Sequence, residues 1–444
     1  MRRLPLFLWT LALLPAMAAA REPLSLQSAM QRAREHSREV TAAQLRAQAA
    51  GEQLRRARDS RWPTVTLEET YIRTDSPAEV FALTLNQERF SLQQLMSSDP
   101  NRPEALDTAV TRLELAVPLY TGGELSGRIA QAASFAEAAT RSASWAADTA
   151  ALQAAQAYVA LAQASEYASL LERARDTVAG HVALARAYVE QGMLVRSELL
   201  RAEVELSRVE DLLAEARGRV EVASANLSFR LGADQGLQWD LKPLGDPPAV
   251  TGDVGEWLAA ASTRPDVAAA RAMQRAGALE EQVRRAALRP RVALVARSDW
   301  VDDTLFGSHG DSTSLVAVAR WRVLDAGADR AAARAARLEA EAAAEDVERF
   351  AEGVALEVRQ AFEEARTEWQ RHRTAQRALE AAVESERITR ERFASGVVKM
   401  LDLLDASTAR REAETRELVA RARAIEAALR LAVASGKPPE AVLQ

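Results

Sequence analysis

The sequence contains two copies of one pattern. Three glycines of the first half recur in the second half at one constant spacing: Gly123 with Gly327, Gly192 with Gly396, and Gly232 with Gly436. Pro63 is matched by Pro290 at a longer spacing, so the first copy carries extra residues between Pro63 and Gly123. Because an internal repeat determines the architecture of a chain, we expect two similar structural units and not a series of unrelated domains.

Each copy contains a very long segment without proline. Residues 124–191 and 328–395 each predict a helix on the order of 100 Å long, which no globular core can bury and which needs a coiled-coil partner. The returning segment supplies that partner, since its apolar residues follow a heptad spacing. The seam positions are Leu199, Ala202, Leu206, Val209, Leu213, Ala216, Val220, Ala223 and Leu227.

The seam of the second copy is less regular. At the corresponding positions it has Arg410 and Glu417 among apolar residues that run from Leu403 to Leu431. Two interpretations remain open. Either this seam is weaker, or the packing face of the second returning helix is rotated.

Short segments with a period of two precede the long helices. Leu113, Leu115, Val117 and Leu119 alternate with other residues, and similar patterns begin at Val292 and Leu315. Apolar residues on one face and charges on the other are typical of a barrel strand between lipid and water, although one such strand alone also fits an ordinary soluble sheet. Aromatic residues lie near the strand ends: Trp62, Tyr71, Tyr120, Trp300 and Trp321. Four strands cannot close a barrel, so a membrane role requires an oligomer.

The first twenty residues predict export. Arg2 and Arg3 precede an apolar stretch, and Ala18 to Ala20 offer small residues for cleavage. We interpret residues 1–20 as a signal peptide, with a membrane anchor as the alternative. No later segment has the run of apolar residues that a transmembrane helix needs.

Composition and motifs exclude several functions. The chain has no cysteine, and its four histidines lie far apart in the sequence. It has no H-E-x-x-H, G-x-S-x-G, Walker A or G-x-G-x-x-G motif. A formal net charge of −6 gives no reason to expect binding to nucleic acid. We therefore expect no enzymatic activity, no catalytic residues, no cofactor and no metal site.

Four motifs resemble the TolC-like outer-membrane efflux protein family, the outer membrane factors of tripartite efflux and type I secretion systems. Two lie at the junctions between strand and helix, Pro118–Gly123 (PLYTGG) and Trp321–Gly327 (WRVLDAG). Two lie at the helical turns, Gly192–Leu200 (GMLVRSELL) and Gly396–Ala406 (GVVKMLDLLDA). Their equal spacing in the two copies makes the resemblance specific.

The resemblance implies a mainly α fold with a small β part. Three protomers with four strands each would form a twelve-stranded transmembrane β-barrel, continued by a long α-helical coiled-coil tube in the periplasm. The expected organisation is a first repeat over residues 21–231, a linker over 232–255, a second repeat over 256–436 and a C-terminal tail over 437–444. The loops between Thr74 and Asp107 and between Asp302 and Asp311 would face the cell exterior.

The resemblance also implies function and partners. The protein would be a passive exit duct in the cell outer membrane, extending into the periplasm. Its partners would be two further copies of itself, a periplasmic adaptor (membrane fusion protein), an inner-membrane pump and outer-membrane lipid, with no nucleic acid. The alternative is a soluble periplasmic coiled-coil scaffold or adaptor. Drugs, metal ions, solvents and secreted polypeptides all remain open as cargo.

The resemblance assigns candidate site residues to the turns. Asp402 and Asp405 match the family's aspartates at the periplasmic constriction; acidic residues early in a helix can also simply complement its dipole. Relatives close the tip with an Arg and a Tyr that bond to an Asp, but here these positions hold Val398, Phe393 and Glu198. Arg196, Arg201 or Lys399 are candidate replacements for this lock. The candidate residues for adaptor contact are Gly192, Met193, Leu194, Gly396, Val397 and Val398.

Overall fold

A computed structural model describes residues 22–97 and 99–442; the predicted signal peptide lies outside these residues. The elements follow one another in a repeated order of helix, strand pair, long helix and returning helix. They are β1 (Glu22–Leu24), α1 (Leu26–His36), α2 (Arg38–Asp59), β2 (Thr64–Thr74), α3 (Pro77–Asn86), α4 (Leu92–Ser97), β3 (Leu106–Tyr120), α5 (Glu124–Glu190), α6 (Arg196–Leu231), β4 (Trp239–Leu241), α7 (Val254–Ala261), α8 (Pro265–Arg285), β5 (Arg291–Asp302), β6 (Asp311–Arg320), α9 (Ala328–Ala394) and α10 (Met400–Ala434).

The chain forms two compact units. One comprises residues up to 44, 142–265 and 351 onwards, and the other comprises residues 45–141 and 266–350. The first unit contains the returning helices α6 and α10 with most of α5 and α9, and the second contains the four-stranded sheet with the first parts of α5 and α9. Within residues 22–97 and 99–442, no helix is both long enough and apolar enough to cross a bilayer.

The long helices match the lengths expected from the absence of proline. α5 and α9 each have 67 residues, which corresponds to about 100 Å at 1.5 Å per residue. On α6 the predicted seam is the packed face, since its nine positions are all buried or partly buried. The heptad pattern therefore identified the correct face of this helix.

The second returning helix, α10, keeps most of its predicted apolar seam buried: Leu403, Ala413, Ala424, Ala427 and Leu431. Ala422, Ile425 and Leu429 belong to the main apolar core of the helical unit, together with Met30 and Leu227. The two charged seam positions, Arg410 and Glu417, are partly buried and pair with Glu386 and Arg421. The predicted seam is thus packed but interrupted by two paired charges, and its lower strength relative to the first copy stays a prediction.

A small parallel strand pair was not foreseen from the sequence. β1 pairs with β4, with Glu22 opposite Trp239 and Leu24 opposite Leu241. The indole Nε1 of Trp239 donates to Ser228 Oγ at 2.9 Å, and the ring is buried. The segment between the repeats thus contributes a strand and core residues to the helical unit.

The sheet has the order β2-β3-β5-β6, and every neighbouring pair is antiparallel. Its two hairpins end at the residues expected from the sequence, with turns between Thr74 and Leu106 and between Asp302 and Asp311. The pairing of β3 with β5 joins the hairpins of the two repeats. β2 and β6 are left as the edges of the sheet.

The sheet has one apolar and one charged face. Side chains on one face are apolar and largely exposed: Val65, Leu67, Leu113, Leu115 and Leu315. The other face carries cross-strand ion pairs, Arg112 Nε to Asp299 Oδ1 at 2.8 Å and Arg297 Nε to Glu114 Oε2 at 2.7 Å. This separation is the alternation that a strand between lipid and water requires.

Candidate functional site

The two helical hairpins turn through the same backbone conformation. Gly192 and Gly396 have φ values of +74° and +73°, in the left-handed region that glycine adopts without a steric penalty. The N–H of Gly192 donates to Val189 O at 3.0 Å, and the N–H of Gly396 donates to Phe393 O at 2.9 Å. Each glycine therefore ends a long helix in the manner of a C-terminal cap, which allows the chain to reverse.

An apolar cluster lies directly behind these turns and joins both hairpins. We call it the tip cluster. Its buried members come from all four helices: Val182, Ala185, Ala202, Phe393, Met400, Leu403 and Leu404. Tyr188, Leu194, Leu199, Leu206 and Val398 pack against it. The tip cluster thus packs the end of the α5–α6 hairpin against the end of the α9–α10 hairpin, and farther from the turns Arg411 of α10 adds an ion pair of 2.9 Å with Glu205 of α6.

Phe393 is a core residue of the tip cluster. Its side chain is 7% exposed, and its ring stacks on Tyr188 with 6.2 Å between centroids and 30° between planes. The position that the resemblance assigned to a hydrogen-bonding Tyr therefore makes an apolar contact within the protomer. Phe393 stays a gate candidate, through packing and not through a polar bond.

The two candidate aspartates have different surroundings. Asp402 Oδ2 accepts a hydrogen bond of 2.9 Å from the N–H of Lys399, which places this carboxylate over the first turn of α10. Asp405 is exposed, and no donor among the described residues contacts its carboxylate. Asp402 therefore caps the start of α10, whereas the Asp405 carboxylate is exposed to solvent.

Glu198 lies in the first turn of α6. Its Oε2 atom is buried, and no hydrogen-bond donor among the described residues reaches it. Arg196 and Arg201 lie on the same helix and are exposed. Within one protomer the structure thus shows no polar lock between the turns.

The candidate contact residues divide in the same way in both turns. Met193 and Val397 occupy equivalent positions and are 60% and 65% exposed. The next residues, Leu194 and Val398, pack against the tip cluster. Each turn therefore presents an apolar side chain outward, with Val195 as a second one in the first turn, and anchors itself through Leu194 or Val398.

Sequence reasoning missed a buried polar group above the tip cluster. Glu386 on α9 is buried and accepts hydrogen bonds from Arg390 at 2.6 Å and from Arg410 of α10 at 2.8 Å. Ser407 also donates to Glu386, at 3.2 Å, and its Oγ lies 3.4 Å from His181 Nε2 on α5. Arg410 at an apolar seam position was the signal, because a charge on a packed face needs a partner.

The charges of this group shift two pKa values. Burial opposes ionisation of Glu386, but the hydrogen bond from Arg410 and the charges of Arg390 and Arg410 outweigh it and lower its pKa. Burial also lowers the pKa of His181, and the nearby Arg390 lowers it further. The group is therefore an ionised glutamate between two arginines, next to a neutral histidine.

A second polar group lies farther along the same helices. Arg421 bonds to Glu166 and, at 3.1 Å, to the carbonyl oxygen of Leu244. Glu417 lies 3.6 Å from both Arg421 Nε and His372 Nδ1, and burial raises the pKa of its carboxyl. The second charge on the predicted seam, Glu417, is thus paired with an arginine, as the first, Arg410, is paired with a glutamate. Within the described residues, no cluster of three or more His, Asp or Glu side chains could hold a metal ion.

Two helical hairpins and a sheet with one apolar face define the protomer of an outer-membrane efflux channel. The sequence profile of the outer membrane efflux protein family matches residues 29–233 and 259–437, so the chain belongs to this family. The protein is therefore an efflux protein of the outer membrane that extends into the periplasm. The family does not support the alternative of a soluble scaffold.

Solved structures share this fold. The open state of the MtrE outer membrane channel of Neisseria gonorrhoeae is 21% identical, with a TM-score of 0.77 over 93% of this chain and 89% of that one. The outer membrane protein VceC of Vibrio cholerae is 18% identical, with a TM-score of 0.74 over 93% and 96%. A membrane protein from Pseudomonas aeruginosa is 20% identical, with a TM-score of 0.76 over 93% and 92%. No curated protein matches the chain.

Proposed function

We propose that three copies of this chain form one exit duct for substrates delivered by an inner-membrane pump. The observation that carries the proposal is the sheet order β2-β3-β5-β6, which leaves β2 and β6 without a strand on one side within the described chain. Unpaired backbone groups are costly in lipid, and four strands are too few to close. Pairing β6 of one copy with β2 of the next closes a barrel of twelve strands.

The turns are the proposed contact with a periplasmic adaptor. Met193 and Val397 are exposed apolar residues at equivalent positions of the two hairpins, so a trimer offers six similar contacts. An adaptor that presents apolar helix ends fits this surface. The duct itself is passive, and its energy comes from the pump.

Asp405 is the proposed ion-sensing residue of the periplasmic gate. In a trimer its exposed carboxylates form a ring of three, which attracts cations and repels anions. Asp402 contributes to the same face of α10, but its hydrogen bond to Lys399 N gives it a separate structural role. The tip cluster with Phe393 keeps the hairpins together while the gate is closed. Glu198 remains a candidate for contact between copies.

The trimer is tested by purification in detergent. We expect an assembly of three chains whose gel mobility changes on heating, and ion conductance when it is added to a planar bilayer. A monomer that stays soluble without detergent and conducts no ions would refute the proposal.

The gate is tested by two matched single substitutions. Asp405→Asn should reduce block of the current by divalent cations without lowering the melting temperature. Asp402→Ala removes a helix cap, so it should cost about 1 kcal/mol of stability whatever its effect on ions. Unchanged cation block in Asp405→Asn would exclude that residue as the ion sensor.

A further inference from the structure

The loop between β2 and β3 is folded onto the end of the sheet. Gln87, which follows α3, is 2% exposed. Its side-chain amide donates to Thr108 Oγ1 at 2.9 Å and to the carbonyl oxygen of Asp107 at 3.2 Å. A buried amide with two strand-end partners fixes the position of the helix before it.

These contacts identify the face of the sheet that α3 covers. Thr108 has the same parity on β3 as Arg112 and Glu114, so its side chain lies on the charged face. Thr108 is fully buried, and so is Val301, which lies on that face of β5. In an outer-membrane barrel the polar face lines the lumen and the apolar face meets lipid. α3 therefore belongs to the lumen side of the sheet.

The second hairpin turn holds the same segment. Arg89 Nη2 forms an ion pair of 2.7 Å with Asp303. Gly310 lies so close to α3 that an added Cβ would be 1.8 Å from the carbonyl oxygen of Asn86. Both loops at this end of the sheet are thus packed against each other.

α3 nevertheless leaves large apolar side chains uncovered in the single chain. Phe81 and Leu85 are 47% and 44% exposed, and Phe90 packs edge-on against Phe81 at 5.5 Å. These residues lie in the loop beyond the ends of β2 and β3, which the proposed barrel would expose to water and not to lipid. An exposed apolar surface of this kind is stabilised when it packs against a second apolar surface.

We propose that the three copies of α3 contact one another inside the outer mouth of the duct and narrow it. The inference rests on the proposed trimer. A barrel of twelve strands, about 4.8 Å apart and tilted by about 40°, has a backbone radius of about 12 Å. Three helices of about 10 Å diameter fill a circle of about 11 Å radius. Three α3 helices on the lumen side therefore meet, which covers Phe81 and Leu85.

Cysteine cross-linking tests this contact, because the natural chain has no cysteine. Leu85→Cys in the detergent-purified trimer is treated with a short bis-maleimide, and Phe81→Cys serves as a second site. We expect covalent dimers and trimers as the major products. Leu67→Cys, on the apolar face, is the matched control and should give monomers only.

A further substitution tests the anchor. Gln87→Met keeps the size of the side chain but removes its hydrogen bonds, so the cross-linking yield at Leu85→Cys should fall several-fold. If trimers form but neither cysteine site cross-links more than Leu67→Cys, the contact between α3 helices is refuted while the trimer stands. If no trimer forms in any variant, the proposed function fails first, and the inference with it.

Discussion

Replacing Phe393 with alanine tests whether the tip cluster holds the channel closed. The ring is buried and stacked on Tyr188, so its removal leaves a cavity among residues of four helices. Loss of a buried Phe side chain costs about 3–5 kcal/mol, of which stacking contributes about 0.5–1.5 kcal/mol. In the proposed trimer, each protomer would carry this loss.

The expected effect is a leaky channel. If the hairpins separate when the tip opens, the closed state loses the cluster energy and the open state does not. A difference of about 3 kcal/mol changes the ratio of closed to open tips by about 100-fold, since 1.4 kcal/mol corresponds to tenfold. Phe393→Leu keeps most of the apolar volume and should give an intermediate leak.

Conductance in planar bilayers, together with uptake of a bulky hydrophilic dye by cells, measures this effect. Val397→Ala is the matched control, because Val397 lies in the same turn but is 65% exposed. If Phe393→Ala melts at a lower temperature but leaks no more than Val397→Ala, the cluster stabilises the hairpins without closing the channel. That result would refute the reasoning.

Three further predictions concern stability, measured as the melting temperature of the detergent-purified assembly. Arg264→Met removes a buried 2.8 Å bond to the last carbonyl groups of α10 and should cost about 1.5–3 kcal/mol, whereas the exposed Arg377→Met should not. The pKa of His181 is lower in the folded chain than in the unfolded chain, so the unfolded chain binds this proton more readily. Stability should therefore fall as the pH drops below about 6.5, and His181→Asn should weaken this dependence on pH. Gly396→Ala should cost about 1–2 kcal/mol because of its positive φ, while Gly353→Ala inside α9 should be neutral or stabilising.

The sequence predicted the parts of the fold that depend on periodic side chains. α5 begins directly after Gly123 and α9 begins directly after Gly327, the glycines that end the two junction motifs. Neither helix contains a proline. β5 ends at the expected Asp302, which is followed by another aspartate, whereas β3 begins at Leu106, well before the alternation that starts at Leu113. Long, regular elements carry enough repeated contacts to override local exceptions.

Short elements could not be predicted in this way. β1 and β4 have three residues each and pair across most of the first repeat, so neither shows a period. α3 and α4 lie in a loop, and the end of α3 is held by the buried amide of Gln87. No sequence pattern distinguishes a buried, hydrogen-bonded glutamine such as Gln87 from an exposed one.

The two turns show which features of the candidate site a family motif can predict. The spacing of the motifs located both turns. Val398 and Phe393 stand where relatives have an Arg and a Tyr, and this difference indicated only that the polar lock of those relatives is missing. In the structure both side chains join an apolar cluster. Whether a turn is held by polar or apolar contacts depends on neighbours such as Tyr188, which lies far away in the sequence.

The tip therefore has two layers, one apolar and one charged, that should respond differently to pH and to salt. Its end is held by apolar contacts, which have no charge for acid to titrate. Glu386 lies seven residues before Phe393, about 10 Å along α9, and binds two arginines beside a neutral His181. Salt screens this buried group weakly, but protonation of His181 adds a third positive charge beside Arg390 and Arg410, whose carboxylate partners are Glu386 and, for Arg410 only, Glu414. Acid should thus loosen the hairpins above the tip cluster before it affects the turns.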